Sequence, residues 1–249
     1  MSRRFAVVHE AEADFHTATE LADRVLMEAI DWLLENPHLI AYEREWVGTV
    51  PGDRRLTWKT IPQLARAIGI KAHGHFDGEP GEADAAAARR AIIYLKEAIP
   101  DLKAILLIRD QDDQPERRIG LEQARGQDHG GTVIVVGLAV VEREAWVISG
   151  FDPQDDVETA RLDAERQALG FDPRHRSHEL TACKDDQATR SPKRVLRQLS
   201  GDDRGRERYC WTNTPLERLR ERGGENGLSA YLDEVWDRLA PLIGHVPER

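Results

Sequence analysis

Hydrophobic residues alternate between two patterns over the first 150 positions of the chain. Short apolar runs at 5–9, 103–108 and 132–141 are typical of strands, and the last two are continuous enough to be buried on both faces. The stretches 15–34, 82–99 and 115–126 carry apolar residues at helical spacing or are rich in strong helix formers. Strands that alternate with helices predict an α/β fold with a mostly parallel sheet and helices on both faces.

The rest of the chain departs from this pattern in two places. Residues 38–80 are an irregular insertion, for which we expect short strands at 39–42 and 46–50, a helix at 63–68 and a Gly-rich loop at 71–81. Beyond residue 150 no comparable β-branched run occurs. We expect helices at 157–169, 192–199, 215–222 and 228–243, and a flexible basic loop at 201–208. The pattern therefore predicts an α/β domain over 1–150 and a mainly helical extension over 151–249.

Acidic residues follow all three predicted core strands. Glu10 follows the first, Asp110 and Asp112 the second, and Glu142 and Glu144 the third. Ligands of open α/β sheets bind beyond the carboxyl ends of the strands, and carboxylates gathered there repel one another unless a cation neutralises them. Hard oxygen ligands suit Mg²⁺ or Mn²⁺. The sequence therefore predicts one divalent-metal site built from separate segments, in which the alternation of Asp110 and Asp112 lets both point to one side.

Each of these carboxylates also has a structural interpretation. A strand-end carboxylate is often a loop residue or a helix N-cap, and Asp14 could cap the first helix or join the outer shell of the metal. Asp113 could be a spare ligand or begin the next helix. His9 could support Glu10. The pairs His73/His75 and His175/His178 lack the partners that a zinc site needs at suitable spacing. Trp32 and Trp146 are expected in the core.

The three acidic segments resemble the motifs of the Toprim fold. VVHEAEADF matches its hydrophobic-Glu-Gly stretch with Ala11 in place of glycine, and LLIRDQDD matches its hydrophobic-D-x-D stretch. VVEREAWVIS resembles the Glu-Ala-Trp segment of small standalone Toprim-type proteins related to the OLD (overcoming lysogenization defect) nucleases, with Glu144 as the better match and Glu142 in reserve. The resemblance covers about residues 4–150.

That resemblance implies Mg²⁺- or Mn²⁺-dependent nicking or cleavage of nucleic acid, DNA above all, as in an endonuclease of bacterial anti-phage defence. Such nucleases often work with an ATPase, and because this chain has no GxxxxGK[ST] match, the ATPase would be a separate subunit. They also use a lysine near the metals, for which Lys193 is the candidate and Lys184 the alternative. The rival hypothesis is a catalytically weak scaffold or sensor subunit that binds an ATPase. Association with further copies of the chain stays open.

Composition narrows these hypotheses only a little. A formal net charge of −10 argues against a strongly basic nucleic-acid coat protein but not against a nuclease with local basic groups. Residues 174–222 carry 13 Lys/Arg and 8 Asp/Glu, and within them Arg204, Arg206 and Arg208 could contact phosphates or lie in solvent. Cys183 and Cys210 have no paired spacing, which indicates free thiols in a reducing cytoplasm. Neither a signal peptide nor a membrane span is predicted.

Overall fold

The protein has an α/β fold built on one four-stranded parallel sheet. A computed structural model describes residues 2–47, 56–183 and 185–247. Within them the sheet has the order β2-β1-β5-β6, and β3 and β4 form a separate antiparallel ribbon. The strands are β1 (Arg3–Val8), β2 (Arg44–Val47), β3 (His75–Phe76), β4 (Glu79–Pro80), β5 (Leu102–Asp110) and β6 (Val133–Ala139).

Helices fill most of the remaining described chain. They are α1 (Glu12–Ala29), α2 (Asp31–Glu35), α3 (Ile40–Glu43), α4 (Ile61–Ala67), α5 (Ala85–Ala98), α6 (Arg117–Arg125), α7 (Arg143–Ser149), α8 (Asp156–Leu169), α9 (Pro192–Ser200), α10 (Arg204–Thr212), α11 (Leu216–Arg222) and α12 (Leu228–Glu234). A π-helical segment (Val235–Leu239) and a 3-10 turn (Ala240–Leu242) follow α12, and two further 3-10 turns lie at Pro37–Leu39 and Ser177–Glu179.

The central strands are buried on both faces, as their apolar runs predict. Four consecutive residues of β1, from Phe5 to Val8, are almost inaccessible to solvent, and successive side chains of a strand point to opposite faces. The same holds for Ala104 to Leu107 of β5. Both faces of the sheet are therefore covered, which agrees with the prediction of helices on both sides.

The register of the sheet brings the ends of β1 and β5 to one edge. The two strands are parallel, and Ala6 lies opposite Ile105 and Val8 opposite Leu107. Glu10 follows β1 at this edge, where ligands of parallel sheets bind.

The chain forms two compact units. Unit 1 comprises residues 1–109, 114–137 and 233–249, and unit 2 comprises residues 110–113 and 138–232. In unit 1, α5 packs on α4 and α6, while α1 packs on α2 and on the segment Val235–Leu239. In unit 2, α7 packs on α9 and α10, and α8 packs on α9. The domain boundary expected at residue 150 stays a prediction.

Several predicted elements differ from the structure. The strand expected at 39–42 is wrong, because these residues form the end of a 3-10 turn and most of α3. The strand expected at 46–50 overlaps β2, and its residues 48–50 lie outside the described residues. The loop expected at 71–81 contains the β3–β4 ribbon. The single helix expected at 15–34 is two helices, since Ile30 between them is extended (φ −124°, ψ 109°).

Two predictions about individual side chains also differ. Trp146 is buried as expected, but Trp32 is 38% exposed and is no core residue. The flexible basic loop expected at 201–208 is wrong in its second half, because α10 begins at Arg204. Arg206 on that helix is buried and forms an ion pair with Glu158 at 2.6 Å. Both expectations for Arg206, a phosphate contact and a charge in solvent, are therefore wrong.

None of the helices in the described ranges combines the length and the apolar character needed to cross a membrane.

Candidate functional site

The turn after β1 needs no glycine. Ala11 is the N-cap of α1 and has extended backbone angles (φ −132°, ψ 164°), which any residue adopts without strain. Alanine at this position, where Toprim proteins usually have glycine, therefore carries no backbone cost. The Asp14 carboxylate accepts hydrogen bonds from the backbone N–H groups of Glu10 (3.1 Å) and Ala11 (2.7 Å). Asp14 thus stabilises the start of α1, as the capping interpretation predicted.

Glu10 lies in unit 1 and is held by an arginine from the neighbouring strand. The Arg109 guanidinium is 2.8 Å from the Glu10 carboxylate and 2.9 Å from that of Asp84. It also lies over the Trp58 ring, 5.4 Å from its centroid. These contacts fix Arg109, and through it the direction of the Glu10 side chain. His9 beside it is buried, with Nδ1 2.8 Å from the carbonyl oxygen of Ala11.

The second acidic segment, at the end of β5, is joined by backbone hydrogen bonds to the chain that follows β6. The N–H of Gln111 donates to Ala139 (2.8 Å), and the N–H of Asp112 donates to Val141 (2.9 Å). Asp112 (φ 48°) and Val141 (φ 73°) are both in the left-handed region. For a β-branched residue this is a true outlier. Such strain clusters at functional sites.

The same two segments place four carboxylates around the start of α7. Asp110 ends β5, and its Oδ1 accepts a hydrogen bond from the backbone N–H of Arg143 (2.8 Å). Glu142 is the N-cap of α7, and Glu144 lies in its first turn. Asp112 is linked to them through Val141. Unit 2 therefore contains Asp110, Asp112, Glu142 and Glu144 within one pair of hydrogen-bonded segments.

Lys193 joins this group from a distant part of the sequence. It lies in the first turn of α9, which begins with the N-cap Ser191 and Pro192. Its Nζ is 2.9 Å from Oε1 of Glu142 and 4.0 Å from the carboxylate of Asp186. The Glu142 side chain is only 10% exposed, so a charged partner is what it requires. Lys184, the alternative lysine, lies outside the described residues.

Electrostatics confirm that these carboxylates influence one another. Burial is the main cause that raises the pKa of Glu142 above its ordinary value, the hydrogen bond from Lys193 lowers it, and the charges of Glu144 and Asp112 raise it further. The balance is a raised pKa, despite the ammonium group in contact. Burial, with the charges of Glu144 and Asp112 added to it, therefore outweighs the effect of Lys193 on the Glu142 carboxyl.

Three contributors to this region were missed in the sequence. Arg143 is buried, and its guanidinium is 3.1 Å from Glu144. Glu207 on α10 has a raised pKa, chiefly through burial, with the charges of Arg143 (lowering) and Glu144 (raising) also felt. Asn226 is buried, and its side-chain amide lies within hydrogen-bond distance of the Ala145 carbonyl and the Ser149 hydroxyl, which fixes α7. No sequence motif marks Glu207 or Asn226, and Arg143 lies inside the third acidic motif, which gives no sign of its contact with Glu144.

The donor set matches Mg²⁺ and Mn²⁺ in chemical kind. Both cations take hard oxygen ligands, and Asp112, Glu142 and Glu144 offer carboxylates that repel one another. Within the described ranges, however, no group of three or more His, Cys, Asp or Glu side chains is arranged to hold a metal ion. The carboxylates match such a cation in ligand type alone, and Glu142 is engaged by Lys193.

The predicted site residues thus fall into two sets. Glu10 and Asp14 belong to unit 1, and Asp110, Asp112, Glu142, Glu144 and Lys193 belong to unit 2. The histidine pairs are not part of either set. His73 contacts Arg89 (3.0 Å between Nδ1 and a guanidinium nitrogen), and His178 lies 3.7 Å from Glu179. Asp113 precedes α6 by several residues and does not begin it.

Comparisons with models of known protein families, with curated proteins and with solved structures each found no match.

Proposed function

We propose that the protein is a metal-dependent endonuclease or nickase that hydrolyses phosphodiester bonds, with DNA as the favoured substrate. The observation that carries the proposal is the group formed by Asp112, Glu142, Glu144 and Lys193 in unit 2. Like charges held close together in a partly buried place repel one another, and the charges of Asp112 and Glu144 contribute to the raised pKa of Glu142, which is caused chiefly by burial. The presence of these carboxylates beside strained backbone supports the proposal of a bound cation.

In this proposal the carboxylates hold a divalent cation and Lys193 serves the substrate. Asp110, Asp112, Glu142 and Glu144 of unit 2 would bind Mg²⁺ or Mn²⁺, and the Toprim resemblance implies a metal-binding role for Glu10 as well. A bound divalent ion lowers the pKa of a water molecule and stabilises negative charge on phosphate oxygens. Because Lys193 and the cation would compete for Glu142, the ammonium group would be released to pair with phosphate, where it opposes developing negative charge.

The Toprim resemblance supports the same conclusion independently of the electrostatics. The motif order of Glu10, Asp110-x-Asp112 and Glu144 is that of the nucleases named above, and the parallel sheet with both faces covered is compatible with their fold. A separate ATPase subunit and a place in anti-phage defence rest on this resemblance alone.

A plasmid assay tests the proposal. The purified chain is incubated with supercoiled plasmid or with RNA, in Mg²⁺, in Mn²⁺ and in EDTA. We expect metal-dependent nicking that Asp112→Asn, Glu144→Gln and Glu10→Gln abolish. Asp156→Asn serves as a matched control, because Asp156 is an exposed carboxylate in unit 2 outside this group. Thermal melts of each variant ensure that loss of activity is not loss of folding.

The scaffold hypothesis makes the opposite prediction for the same assay. A chain that cleaves neither DNA nor RNA, alone or with an added ATPase subunit, refutes the nuclease proposal. Activity that survives every carboxylate substitution also refutes it, because cleavage would then come from another site or a contaminant.

A further inference from the structure

Asp152 of unit 2 lies among the guanidinium groups of three arginines. Arg174 and Arg222 approach one of its carboxylate oxygens, Oδ1, at 3.3 and 2.9 Å. Arg218 forms an ion pair with the other oxygen. A single carboxylate offsets only one of these three positive charges. Nε of Arg222 is also buried and has no hydrogen-bond acceptor in the part of the chain that the structure describes.

A second aspartate shares one of these arginines. Asp172 pairs with Arg174 at 2.8 Å and with Arg166, on α8, at 2.6 Å. Burial would raise the pKa of Asp172, but hydrogen bonds from both arginines hold it below its ordinary value. Burial likewise raises the pKa of Asp152, and hydrogen bonds from two of its arginines lower it below its ordinary value. The potential at both carboxylates is therefore positive enough to outweigh the effect of burial.

Two further arginines lie beside Asp172. Arg176 and Arg190 are placed over the ring of Phe171, with their guanidinium carbons 5.0 and 5.8 Å from its centroid. Arg176 also pairs with Glu179 at 2.6 Å. We call this set the arginine cluster and define it by its six members, Arg166, Arg174, Arg176, Arg190, Arg218 and Arg222.

The arginine cluster is positive within a unit that is negative. In the described ranges its members contact four carboxylates, those of Asp152, Asp163, Asp172 and Glu179. Six positive charges therefore face four negative ones, whereas unit 2 as a whole has 16 Lys/Arg and 21 Asp/Glu. All six cationic members are arginines, whose planar guanidinium groups bind two phosphate oxygens at once. Such a local excess attracts a polyanion that carries phosphates.

We infer that the arginine cluster binds the phosphate backbone of nucleic acid. The choice of nucleic acid among polyanions rests on the proposed function. Arg166, Arg176 and Arg218 have side chains between 40% and 51% exposed, so phosphate oxygens can reach them. Arg222 donates to the carbonyl oxygen of Ser149 at the end of α7 (3.2 Å), while the carboxylates of the candidate site surround the start of this helix. Seven residues of α7, roughly 10 Å along its axis, separate the two.

Fluorescence anisotropy of a labelled DNA duplex in EDTA tests the inference in the absence of cleavage. The logarithm of the affinity falls linearly with the logarithm of the salt concentration, with a slope of about 0.9 per phosphate contact. We expect Arg218→Gln and Arg190→Gln each to weaken binding and to reduce this slope by about 1, for any DNA sequence. Arg4→Gln is the matched control. Arg4 belongs to unit 1, is 43% exposed and pairs with Glu45, and this variant should keep the wild-type slope.

The outcomes separate this inference from the proposed function. Reduced slopes in a chain that cleaves no plasmid support the inference and refute the nuclease proposal alone. Unchanged slopes in both folded variants refute the inference, even where the plasmid assay shows cleavage. A wild type that binds no DNA, or that binds polyglutamate as tightly as DNA, also refutes it, because the cluster would then not be a phosphate site. If thermal melts show that Arg218→Gln does not fold, Arg190→Gln decides, since Arg190 is exposed.

Discussion

Asp112 combines a left-handed backbone with a place in a repulsive group of carboxylates. Both features cost stability, and they would be kept together only if the charge were useful. The neighbouring Val141 shares the strain, and its carbonyl oxygen accepts the hydrogen bond of the Asp112 N–H. At the scale of single residues, Asp112 and Val141 therefore lower the free energy of unfolding.

Asp112→Asn should therefore separate stability from function. Asparagine adopts left-handed backbone readily and removes one negative charge, so we expect the free energy of unfolding in EDTA to rise by about 0.5–1 kcal/mol. Mn²⁺ binding should fall at least 10-fold, as an order of magnitude. Thermal melts and Mn²⁺ titrations measure both. Asp112→Ala, which lacks a side chain suited to this backbone, is the comparison and should be less stable than Asp112→Asn. A variant that is destabilised and still binds Mn²⁺ would contradict this account.

Asp172, which lies outside the acidic group, makes a pH-dependent contribution to the free energy of unfolding. Burial alone would raise its pKa, but hydrogen bonds from Arg174 and Arg166 outweigh burial and hold the pKa far below its ordinary value of 3.8. The folded state therefore binds this proton less readily than the unfolded state. Its stabilising contribution is complete above pH 3.8 and is lost as the pH falls below that value.

We expect Asp172→Asn to be about 2 kcal/mol less stable than the wild type at neutral pH. The difference should narrow as the pH falls below 3.8, because the wild type then loses the same charge. Urea unfolding at neutral pH and at several acidic steps measures this. A difference that is constant over the acid range would show that the Asp172 carboxylate is not the source.

At the scale of elements, α10 depends on a capping carboxylate. The Asp203 side chain accepts hydrogen bonds from the N–H groups of Gly205 (2.7 Å) and Arg206 (3.2 Å). Losing such a cap costs about 1 kcal/mol. For a chain of this length that corresponds to a fall in melting temperature of roughly 2–4 °C.

Asp203→Ala should show that loss in a thermal melt, and Asp203→Ser, which can still cap, should retain most of the stability. Equal melting temperatures for the two variants would indicate that the cap contributes nothing. Because α10 carries Glu207 and Arg206, fraying of this helix should also weaken any metal binding that depends on the region around α7.

Elements with an unbroken apolar run or a clear start signal were predicted from the sequence. An element that buries a charged residue was missed. Strand β5 was predicted because its apolar run is unbroken, and α9 because Ser191-Pro192 is a clear helix start. The helix α10 was missed because its buried face includes a charged residue, Arg206, which no hydrophobic pattern reveals. The short apolar run at 39–42 suits a strand or a helix equally, and its context selected the helix.

For the candidate site, the sequence and its Toprim resemblance could name the carboxylates and Lys193 but not the contacts between them. The pairing of Lys193 with Glu142 joins residues 51 positions apart, and only tertiary packing decides such contacts. Arg143 lies inside the segment VVEREAWVIS, yet its contact with Glu144 depends on burial that the segment does not show. The left-handed angle of Val141 was equally hidden, since valine ordinarily indicates a strand.

At the scale of the whole molecule, unit 1 uses both ends of the chain. The segment Val235–Leu239 packs on α1, and Val235, Leu239 and Ala240 are fully buried. Arg125 on α6 also forms an ion pair with Glu234. A fragment of residues 1–150 would leave these surfaces of α1 and α6 exposed to water.

We therefore expect the fragment 1–150 to be less cooperative in unfolding than the full chain and to bind a hydrophobic dye. Losing the buried side chains of Val235 and Leu239 costs on the order of 2 kcal/mol each, and losing the methyl group of Ala240 costs roughly 0.8 kcal/mol more. Circular dichroism melts and dye fluorescence measure this, with the full chain as control. A fragment that melts as sharply as the full chain would instead support an autonomous domain ending at residue 150.

The left-handed conformation of Val141 affects how homologues of this protein can be recognised from their sequences. Homologues should favour residues that adopt left-handed backbone angles at this position. We therefore expect glycine, asparagine or aspartate immediately before their Glu-x-Glu segment. A profile that demanded an aliphatic residue there would overlook them. Searching with that position left permissive, and with the spacing to Asp112 kept, offers a practical route to remote homologues.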